Sequence, residues 1–528
     1  MAANGIDKAW KIKKGEECHY SILGSNANYA NVITPRRESV CENVDNNNTD
    51  GKSNSLENKQ ESGHYSSNSK GVFAQCLVSG SVLLLAAGGG MPIGYSAILL
   101  PQLAKENGTM HVDSDLGSWI ASVHSLATPI GSLTSGPLLD AIGRRGSLQF
   151  SGVPLFLGWF FMGFARNIPC LLVGRIILGF GVGLMAVPSQ VLLGEMSDPR
   201  LRGTMTAGVL AFYCFGILLV YGLGASFNWD IVAFCSAALP LAALISLILI
   251  PESPAWLIKK KRSEKARKAL LWLRGGNEKQ VESEMLIMEA REKADQARTA
   301  INLSFCERIT SAITTLGDPS VFKPLMIINI FNVFQLMSGT YIVVFYAVDI
   351  VHDTCGDSIN TYLAAVITAA IRLLFSSVSS VLLLKMGRRS VGLLSALGTS
   401  ITSLTLAVYM MINDESSMDI YVVGMFLLLY VAISTMGLMM LPGLMMAELL
   451  PLRARGIGGG SNFFLFNFFI FVSTKLFPTV KDAIGIIGVF SIFGTSAFLE
   501  AIFIYLVLPE TKNCTLQEIE DYFQVRTF

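Results

Sequence analysis

The chain carries one set of polar landmarks twice, in the same order. Glu195-x4-Arg200-x-Arg202-Gly203 returns 253 positions later as Glu448-x4-Arg453-x-Arg455-Gly456. A Gly-Arg-Arg turn precedes each copy, at 143–145 and at 387–389, and a Pro-Glu pair follows each, at 251–252 and at 509–510. Three landmarks repeated at nearly one offset indicate a duplicated unit of about 250 residues.

Both copies lie within long apolar stretches. Of the 528 residues, 52% are hydrophobic and 15% are charged, and the mean hydropathy is +0.51, whereas an ordinary soluble domain has about 25% charged residues. Lys+Arg (40) and Asp+Glu (39) nearly balance, so nothing indicates a nucleic-acid partner. Parallel membrane halves of this kind build one large class of secondary transporters. The sequence therefore predicts a protein that moves a small solute across a bilayer.

Twelve apolar segments are each long enough to cross a hydrocarbon core of about 30 Å. The fold class predicted is an all-α membrane protein with twelve transmembrane helices in two pseudo-symmetric six-helix bundles, joined by a cytoplasmic helical linker. The predicted parts are a disordered tail (1–71), a first bundle (72–250), the linker (251–322), a second bundle (323–508) and a C-terminal tail (509–528). The predicted spans are 72–101, 115–139, 147–165, 169–194, 203–224, 229–250, 323–351, 359–384, 391–413, 419–450, 456–478 and 485–508.

The loops alternate in charge. One series carries Arg144, Arg200, Arg388 and Arg453, whereas the other carries mainly acids, such as Asp353. The positive-inside rule then places both termini and the linker in the cytoplasm. We therefore expect a multi-pass protein of the cell membrane in contact with the lipid bilayer; its oligomeric state is not readable from the sequence.

The linker itself has helical features. Ser263 is expected to cap a helix that runs through Leu273 and ends at Gly275-Gly276, and a second charged helix is expected at about 278–298. Two interpretations have equal weight: a solvated linker, or a cytoplasmic helical plate that braces the two halves during transport.

Charged residues at the cytoplasmic span ends form a candidate gating network. Carboxylates at the ends of spans 4 and 10 can pair with Arg at neighbouring span ends when the cytoplasmic side is closed, and separate when it opens. The alternative is that these charges only orient the helices. The predicted network consists of Asp140, Arg144, Arg145, Glu195, Arg202, Arg388, Arg389, Glu448, Arg453 and Arg455.

Over about 72–522 the chain resembles the sugar porter branch of the major facilitator superfamily. The resemblance rests on Gly174-Arg175 with the span 4 glycines, the two Glu-x4-Arg-x-Arg-Gly patterns, Pro251-Glu252-Ser253-Pro254 and Pro509-Glu510-Thr511-Lys512. Gln335-x2-Ser338-Gly339 is a further part of the resemblance. Within that branch, the residue pattern most resembles that of the insect facilitated trehalose transporters. The resemblance implies the two-bundle major facilitator fold with a central cavity, and a small-molecule substrate such as a sugar.

The family's sugar-contacting amides are only partly present. A sugar site favours amides, which both donate and accept hydrogen bonds, and Gln335 and Asn462 match two of the family's positions. Tyr341 and Arg372 occupy two other positions where the family has Asn. The span 5 Gln falls on Leu210, the second span 7 Gln on Leu336 and the span 10 Trp on Gly443. The expected substrate-binding set is Gln335, Tyr341, Arg372 and Asn462, in a site too poor in amides for an ordinary hexose.

Arg372 lies midway along predicted span 8, where an Arg at the bilayer centre costs at least ~2.5–3.5 kcal/mol unless it faces a wet cavity or a partner. One interpretation is a cavity cation that binds substrate oxygens or an anionic group. The other is a buried structural pair with Glu500 in span 12.

Proton-linked members of the family carry an Asp after Gly-Tyr in span 1, near the span 4 Arg. In this chain the same run reads Gly94-Tyr95-Ser96, so Arg175 lacks that carboxylate and a uniporter is expected. Glu500 is the other intramembrane acid that bears on coupling.

Nothing in the sequence suggests catalysis, a metal or a cofactor, and an enzyme is not expected. Three functions stay open. The first is a facilitative sugar carrier working by alternating access, for trehalose or a hexose-like sugar. The others are a carrier for a different, anionic solute and a non-transporting membrane sensor.

The topology yields a direct prediction. Asn107-Gly108-Thr109 lies in the loop predicted to be extracellular, whereas the sequons at Asn47, Asn302 and Asn513 are predicted to be cytoplasmic. Glycosidase treatment, followed by gel mobility, should remove glycan from Asn107 or from no residue. A glycan on Asn302 would overturn the orientation.

Overall fold

The structure is a computed structural model that describes residues 69–105, 110–299, 314, 316–355, 360–413, 420–451, 454–512, 519 and 522–523. Within those ranges the chain is helical and contains no strand. Most of the two predicted tails, Asn107, residues 300–313 and Arg453 lie outside the described residues.

Six helices follow one another in the first half of the chain, close to the predicted spans. They are α1 (Ser69–Lys105), α2 (Ser114–Ile142), α3 (Arg144–Gly163), α4 (Ile168–Met196), α5 (Pro199–Gly224) and α6 (Trp229–Leu249). Polar residues begin several of them: the side chain of Asp113 accepts from the amide of Leu116, and Asn167 accepts from that of Cys170. These caps satisfy amide groups that the first helical turn leaves free.

The linker contains α7 (Pro254–Lys259), α8 (Ser263–Leu273) and α9 (Glu278–Thr299). The expected cap is wrong: Ser263 is the first helical residue of α8, and the cap position belongs to Arg262, which makes no capping hydrogen bond. Arg274 lies at the end of α8 and pairs with Asp198 and with Glu284, each at 2.9 Å. The helices α7–α9 therefore form a plate that rests on the first half.

The second half contains α10 (Pro319–Met337), α11 (Ile342–Phe345), α12 (Ala347–Cys355), α13 (Thr361–Lys385), α14 (Arg388–Ile412), α15 (Ile420–Met436), α16 (Leu441–Leu449) and α17 (Arg455–Val507). Four of the predicted spans are therefore broken or joined differently. Predicted span 7 is divided after Met337, with Gly339 at φ +81°, and predicted span 10 is divided at 437–440. The last two spans form one element that Gly485, at φ +69°, interrupts close to the predicted boundary.

Within the described ranges, nine helices are long and apolar enough to cross a membrane. Two of the predicted spans are one such helix, α17, which Gly485 divides. Two further predicted spans correspond to α2 and α3, which carry more polar residues and are not among these nine helices.

The halves pack internally and then against each other. In the first half α4 packs on α2 and α3, and α1 on α5, whereas in the second α17 packs on α10 and α14. Between the halves, α2 meets α17, α5 meets α13, and α1 meets α11 and α12. We call the end with Arg144 and Arg388 the basic end, and the end with Asp115 and Asp353 the acidic end. Because α5 meets α13 between the halves, and α10 packs on α17 within the second half, the space between these four helices is central to the molecule.

Candidate functional site

At the basic end of the first half, three distant segments meet at one junction. Arg144 donates from Nε and Nη2 to the Glu195 carboxylate at 2.9–3.0 Å, and Ser253 donates its hydroxyl to the same carboxylate. Glu252 accepts from the backbone amides of Arg144 at 2.9 Å and Arg145 at 3.0 Å. Since these amides belong to the first turn of α3, Glu252 acts as its cap from another part of the chain.

The second half repeats this junction. Arg388 donates to Glu448 at 2.8 Å, and Thr511 donates its hydroxyl to Glu448 at 2.5 Å. Glu510 accepts from the backbone amides of Arg388 at 2.9 Å and Arg389 at 3.2 Å, in the first turn of α14.

The glycine of each Gly-Arg-Arg turn makes room for the capping carboxylate. A Cβ on Gly143 would lie 2.5 Å from Oε2 of Glu252, and one on Gly387 would lie 2.1 Å from Oε2 of Glu510. Gly143 also has φ +93°, which L side chains rarely adopt. All three repeated landmarks of the sequence thus belong to a single junction in each half.

Sequence reasoning missed the roles of Glu252, Glu510, Ser253 and Thr511. The signal was present, because Pro-Glu-Ser and Pro-Glu-Thr occupy equivalent places in the two copies. A carboxylate followed by a hydroxyl, repeated with the Arg turn, marks residues that share its contacts.

The remaining predicted gating residues differ in how far the structure describes them. Asp140 pairs with Lys259 at 2.9 Å, and both side chains are well exposed. Arg389 donates to the carbonyl of Tyr505 and lies over its ring. The side chains of Arg202 and Arg455 are not among those described, so the gating role of the network stays a prediction. The described junction pairs each join residues of one half.

Amide side chains gather on one face of α10. Gln335 is fully buried and donates to the carbonyl of Leu438 at 2.8 Å, and Asn332 donates to Oδ1 of Asn462 at 2.9 Å. The carbonyl oxygens of Gln335 and Asn332 accept no hydrogen bond within the described structure. Asn332 was not singled out from the sequence, although it lies three residues before Gln335 and therefore on the same helical face. The set of amide side chains at this site is therefore larger than the resemblance alone implied.

Arg372 lies between the halves on α13. Its side chain is buried, and Nη1 contacts Sδ of Met439 at 3.3 Å. Its charge acts on Cys214 and Tyr221 of α5 in the first half, and on Tyr341 and Tyr430 in the second. The Tyr341 ring in turn packs edge-to-face on Phe466 at 5.4 Å between centroids. The surroundings of Arg372 thus offer phenol hydroxyls, a thiol and a thioether.

Glu500 is fully buried, and neither of its carboxylate oxygens has a hydrogen-bond partner among the described residues. The expected alternative, a buried Arg372–Glu500 pair, is therefore wrong for this structure. The physical reason is position: Glu500 lies on the last stretch of α17, which packs on α10 and α14, whereas the charge of Arg372 acts on side chains at the interface with α5.

Arg175 has the surroundings that the sequence predicted. It is fully buried and donates to the carbonyl of Pro92 at 2.6 Å and to the Ser96 hydroxyl at 2.9 Å. Its guanidinium also lies 5.4 Å from the Tyr95 ring centroid. The position next to Arg175 is thus filled by a hydroxyl that does not titrate.

The halves are in contact at the acidic end. Tyr221 of α5 donates to the carbonyl of Val344 in α11 at 2.6 Å. Two cavities at this end, of about 250 and 540 Å³, have none of the four predicted substrate residues among their linings. Gln335 and Arg372 are buried, and the Tyr221–Val344 contact joins the halves at this end, so we interpret the structure as a form closed there.

Two helical halves around a central polar site, each with a buttressed Arg–Glu junction at one end, define a membrane transporter of the two-bundle type. The family model described as "Sugar (and other) transporter" matches residues 42–523. The chain belongs to this family, and the expectation that it is not an enzyme agrees with that membership.

Relatives and a solved structure agree with this assignment. The chain is 33% identical to "Facilitated trehalose transporter Tret1" of Drosophila willistoni over 85% of its length and 51% of that protein's. It is also 33% identical to "Facilitated trehalose transporter Tret1-2 homolog" of Drosophila simulans, over 85% of this chain and 91% of that one. The chain spans about half the length of the longer curated relatives it matches, such as Tret1 of Drosophila willistoni. The fold is similar to a partially occluded inward-open conformation of the xylose transporter XylE from E. coli, with TM-score 0.69 and 20% identity over 84% of this chain and 100% of that one.

The junction leads to a prediction about Glu195. Glu195→Gln removes the charge that holds Arg144 and Ser253, which loses hydrogen bonds to a charged group worth about 1.5–3 kcal/mol each. We expect surface expression to survive, uptake to fall and a cysteine placed in the central cavity to become more accessible from the cytoplasm.

Lys265→Gln is the matched control, since it removes the charge of an exposed lysine of α8 at the same end that belongs to no pair of the predicted gating network. Equal labelling of the cavity cysteine in Glu195→Gln and the parent chain would exclude the gating role of Glu195.

Proposed function

We propose that the chain is a facilitative carrier that moves trehalose or a hexose-like sugar across the membrane by alternating access. The match to the sugar transporter family over residues 42–523 carries this proposal, because it covers both halves. The trehalose transporters that it resembles support the substrate class. The central amides support it independently, since neutral hydroxyls require groups that both donate and accept.

In this proposal the halves 72–250 and 323–508 rock about the central site, and the 251–322 linker travels with the first half. Gln335, Tyr341, Arg372 and Asn462 contact the substrate, and Asn332 joins them. The charge network at the basic end governs closure on that side. The basic end faces the cytoplasm together with both termini, the acidic end faces the exterior, and the membrane is the cell membrane.

Transport is proposed to be uncoupled from protons. Arg175 is held by the Pro92 carbonyl and the Ser96 hydroxyl, so no acid at this position changes its charge during the cycle. A uniporter needs no such acid, because the substrate gradient alone drives net flux.

Radiotracer uptake in oocytes tests this function. We expect saturable uptake of trehalose or a hexose that does not change when a protonophore collapses the proton gradient. Ser96→Asp places a carboxylate beside Arg175 and should introduce a pH dependence, whereas Ser96→Asn should not. Protonophore-sensitive uptake by the parent chain would contradict uncoupled transport, and no uptake of any sugar would contradict the substrate class.

A second candidate is a carrier for an anionic solute, and Arg372 favours it. The guanidinium is buried at the interface of the halves, and its described contact is with a thioether, so it has hydrogen-bond donors to offer a carboxylate or phosphate. A substrate anion would compensate the buried charge only while bound.

Arg372→Leu tests whether this residue contacts the substrate, and the response of uptake to membrane potential separates the two candidates. Because Arg372 and Glu500 are not paired, the change strands no carboxylate, and we expect normal surface delivery with uptake reduced at least about tenfold, equivalent to 1.4 kcal/mol. Glu500→Gln is the matched control: it alters a buried group away from the substrate and should retain uptake. An anion carrier should also respond to membrane potential, by ~2.3 kcal/mol per charge per 100 mV. Potential-independent trehalose uptake that survives Arg372→Leu would exclude both the anion and the substrate role of this residue.

A further inference from the structure

One ammonium group at the acidic end joins the two halves. Nζ of Lys475, on α17 in the second half, lies 2.5 Å from Oδ1 of Asp115 on α2 in the first half. The same nitrogen donates to the Ser118 hydroxyl at 2.7 Å. It also lies 4.6 Å from the centroid of the Trp119 ring. All of these partners belong to the first two turns of α2.

The aromatic part of this contact extends the apolar surface between the helices. The Trp119 ring packs against Phe471, one turn before Lys475, with 6.1 Å between centroids. Lys475 thus lies in a niche formed by one face of α2. The face of α17 that carries Lys475 also carries Phe471, whose ring packs on Trp119.

We propose that Lys475 is a positioning residue of the transport cycle, which latches α17 to the Asp115–Trp119 turn of α2 and so holds the extracellular side closed. This proposal rests on the alternating-access function proposed above. When the halves rock apart at this end, the ammonium group loses all three partners together, because they lie on one face of α2 in the opposite half. The latch therefore stabilises only the form in which the extracellular side is closed.

A second ion pair on the same helix provides an internal control. Lys481 lies six residues beyond Lys475 and pairs with Asp353 of α12 at 2.8 Å. Lys481 and Asp353 both belong to the second half, so rocking of the halves leaves this pair intact. Loss of a lysine charge at the acidic end can thus be distinguished from loss of the latch.

The size of the effect follows from exposure. The Asp115 side chain is 78% exposed and that of Lys475 is 21% exposed, so the ion pair is weak, as surface pairs are, and the cation–π contact adds to it. We expect removal of the latch to increase the population open to the outside by about 3- to 10-fold, without unfolding the protein.

The test uses a cysteine as reporter in the full chain on intact cells. Val344 is buried and accepts the hydrogen bond from Tyr221 across the interface, so Val344→Cys should react slowly with an impermeant maleimide while the outside is closed. Labelling of the chain without this reporter gives the background from the natural cysteines. Lys475→Gln and Asp115→Asn should each speed reporter labelling about 3- to 10-fold. Trp119→Leu should give a smaller increase.

Lys475→Arg keeps the charge and the cation–π contact and should label at the parent rate, as should Lys481→Gln. Parent-rate labelling of Lys475→Gln at normal surface expression would overturn the latch, and so would an equal increase in Lys481→Gln. Since labelling requires no substrate, these outcomes do not depend on the uptake assay. Failure of the latch with intact sugar uptake leaves the proposed function standing, whereas absent uptake with the expected labelling pattern contradicts only that function.

Discussion

The carboxylate of Glu195 holds together parts of the chain that are far apart in sequence. It binds the Arg144 side chain at the start of α3 and the Ser253 hydroxyl at the start of the linker. Glu252 meanwhile caps the first amides of α3. Each half needs such a junction, because its helices have little hydrophobic drive to associate within lipid. The ionic contacts at the membrane border fix the helix ends, and the halves can then move as units.

Buried charges in the two halves are handled in different ways. Arg175 donates within its own half to a carbonyl and a hydroxyl, whereas its Nε has no hydrogen-bond partner in the described structure. Arg372 lies between the halves and its described contact is a soft sulfur acceptor. A buried cation without an anionic partner is costly, and contact with substrate oxygens, as proposed, would reduce that cost. Within the part of the chain that the structure describes, Glu500 has no hydrogen bond and no ion pair, which sets it apart from both arginines.

Much of the fold could be predicted because apolar length and repeated polar landmarks are local properties of the sequence. Helix breaks were harder: Gly339 and the 437–440 turn interrupt spans whose hydropathy is continuous. At the site, the resemblance identified Gln335 and Asn462 by position, but Asn332 needed the hydrogen bond between two distant helices to become visible. The supposed Arg372–Glu500 pair failed for the opposite reason, since similar depth in the membrane does not fix which face of a helix a residue occupies.

The strengths of contacts within and between the halves must differ for alternating access to work. Moving a two-state equilibrium from 1:99 to 99:1 requires about 5.5 kcal/mol. An exposed pair such as Lys475–Asp115, with a cation–π contact beside it, contributes a small part of this. The Arg144–Glu195 junction is less exposed, and several hydrogen bonds to one carboxylate reinforce it. If the contact between the halves were as strong as that junction, substrate binding could not open it. Alternating access therefore requires both a weak contact between the halves and strong contacts within each half.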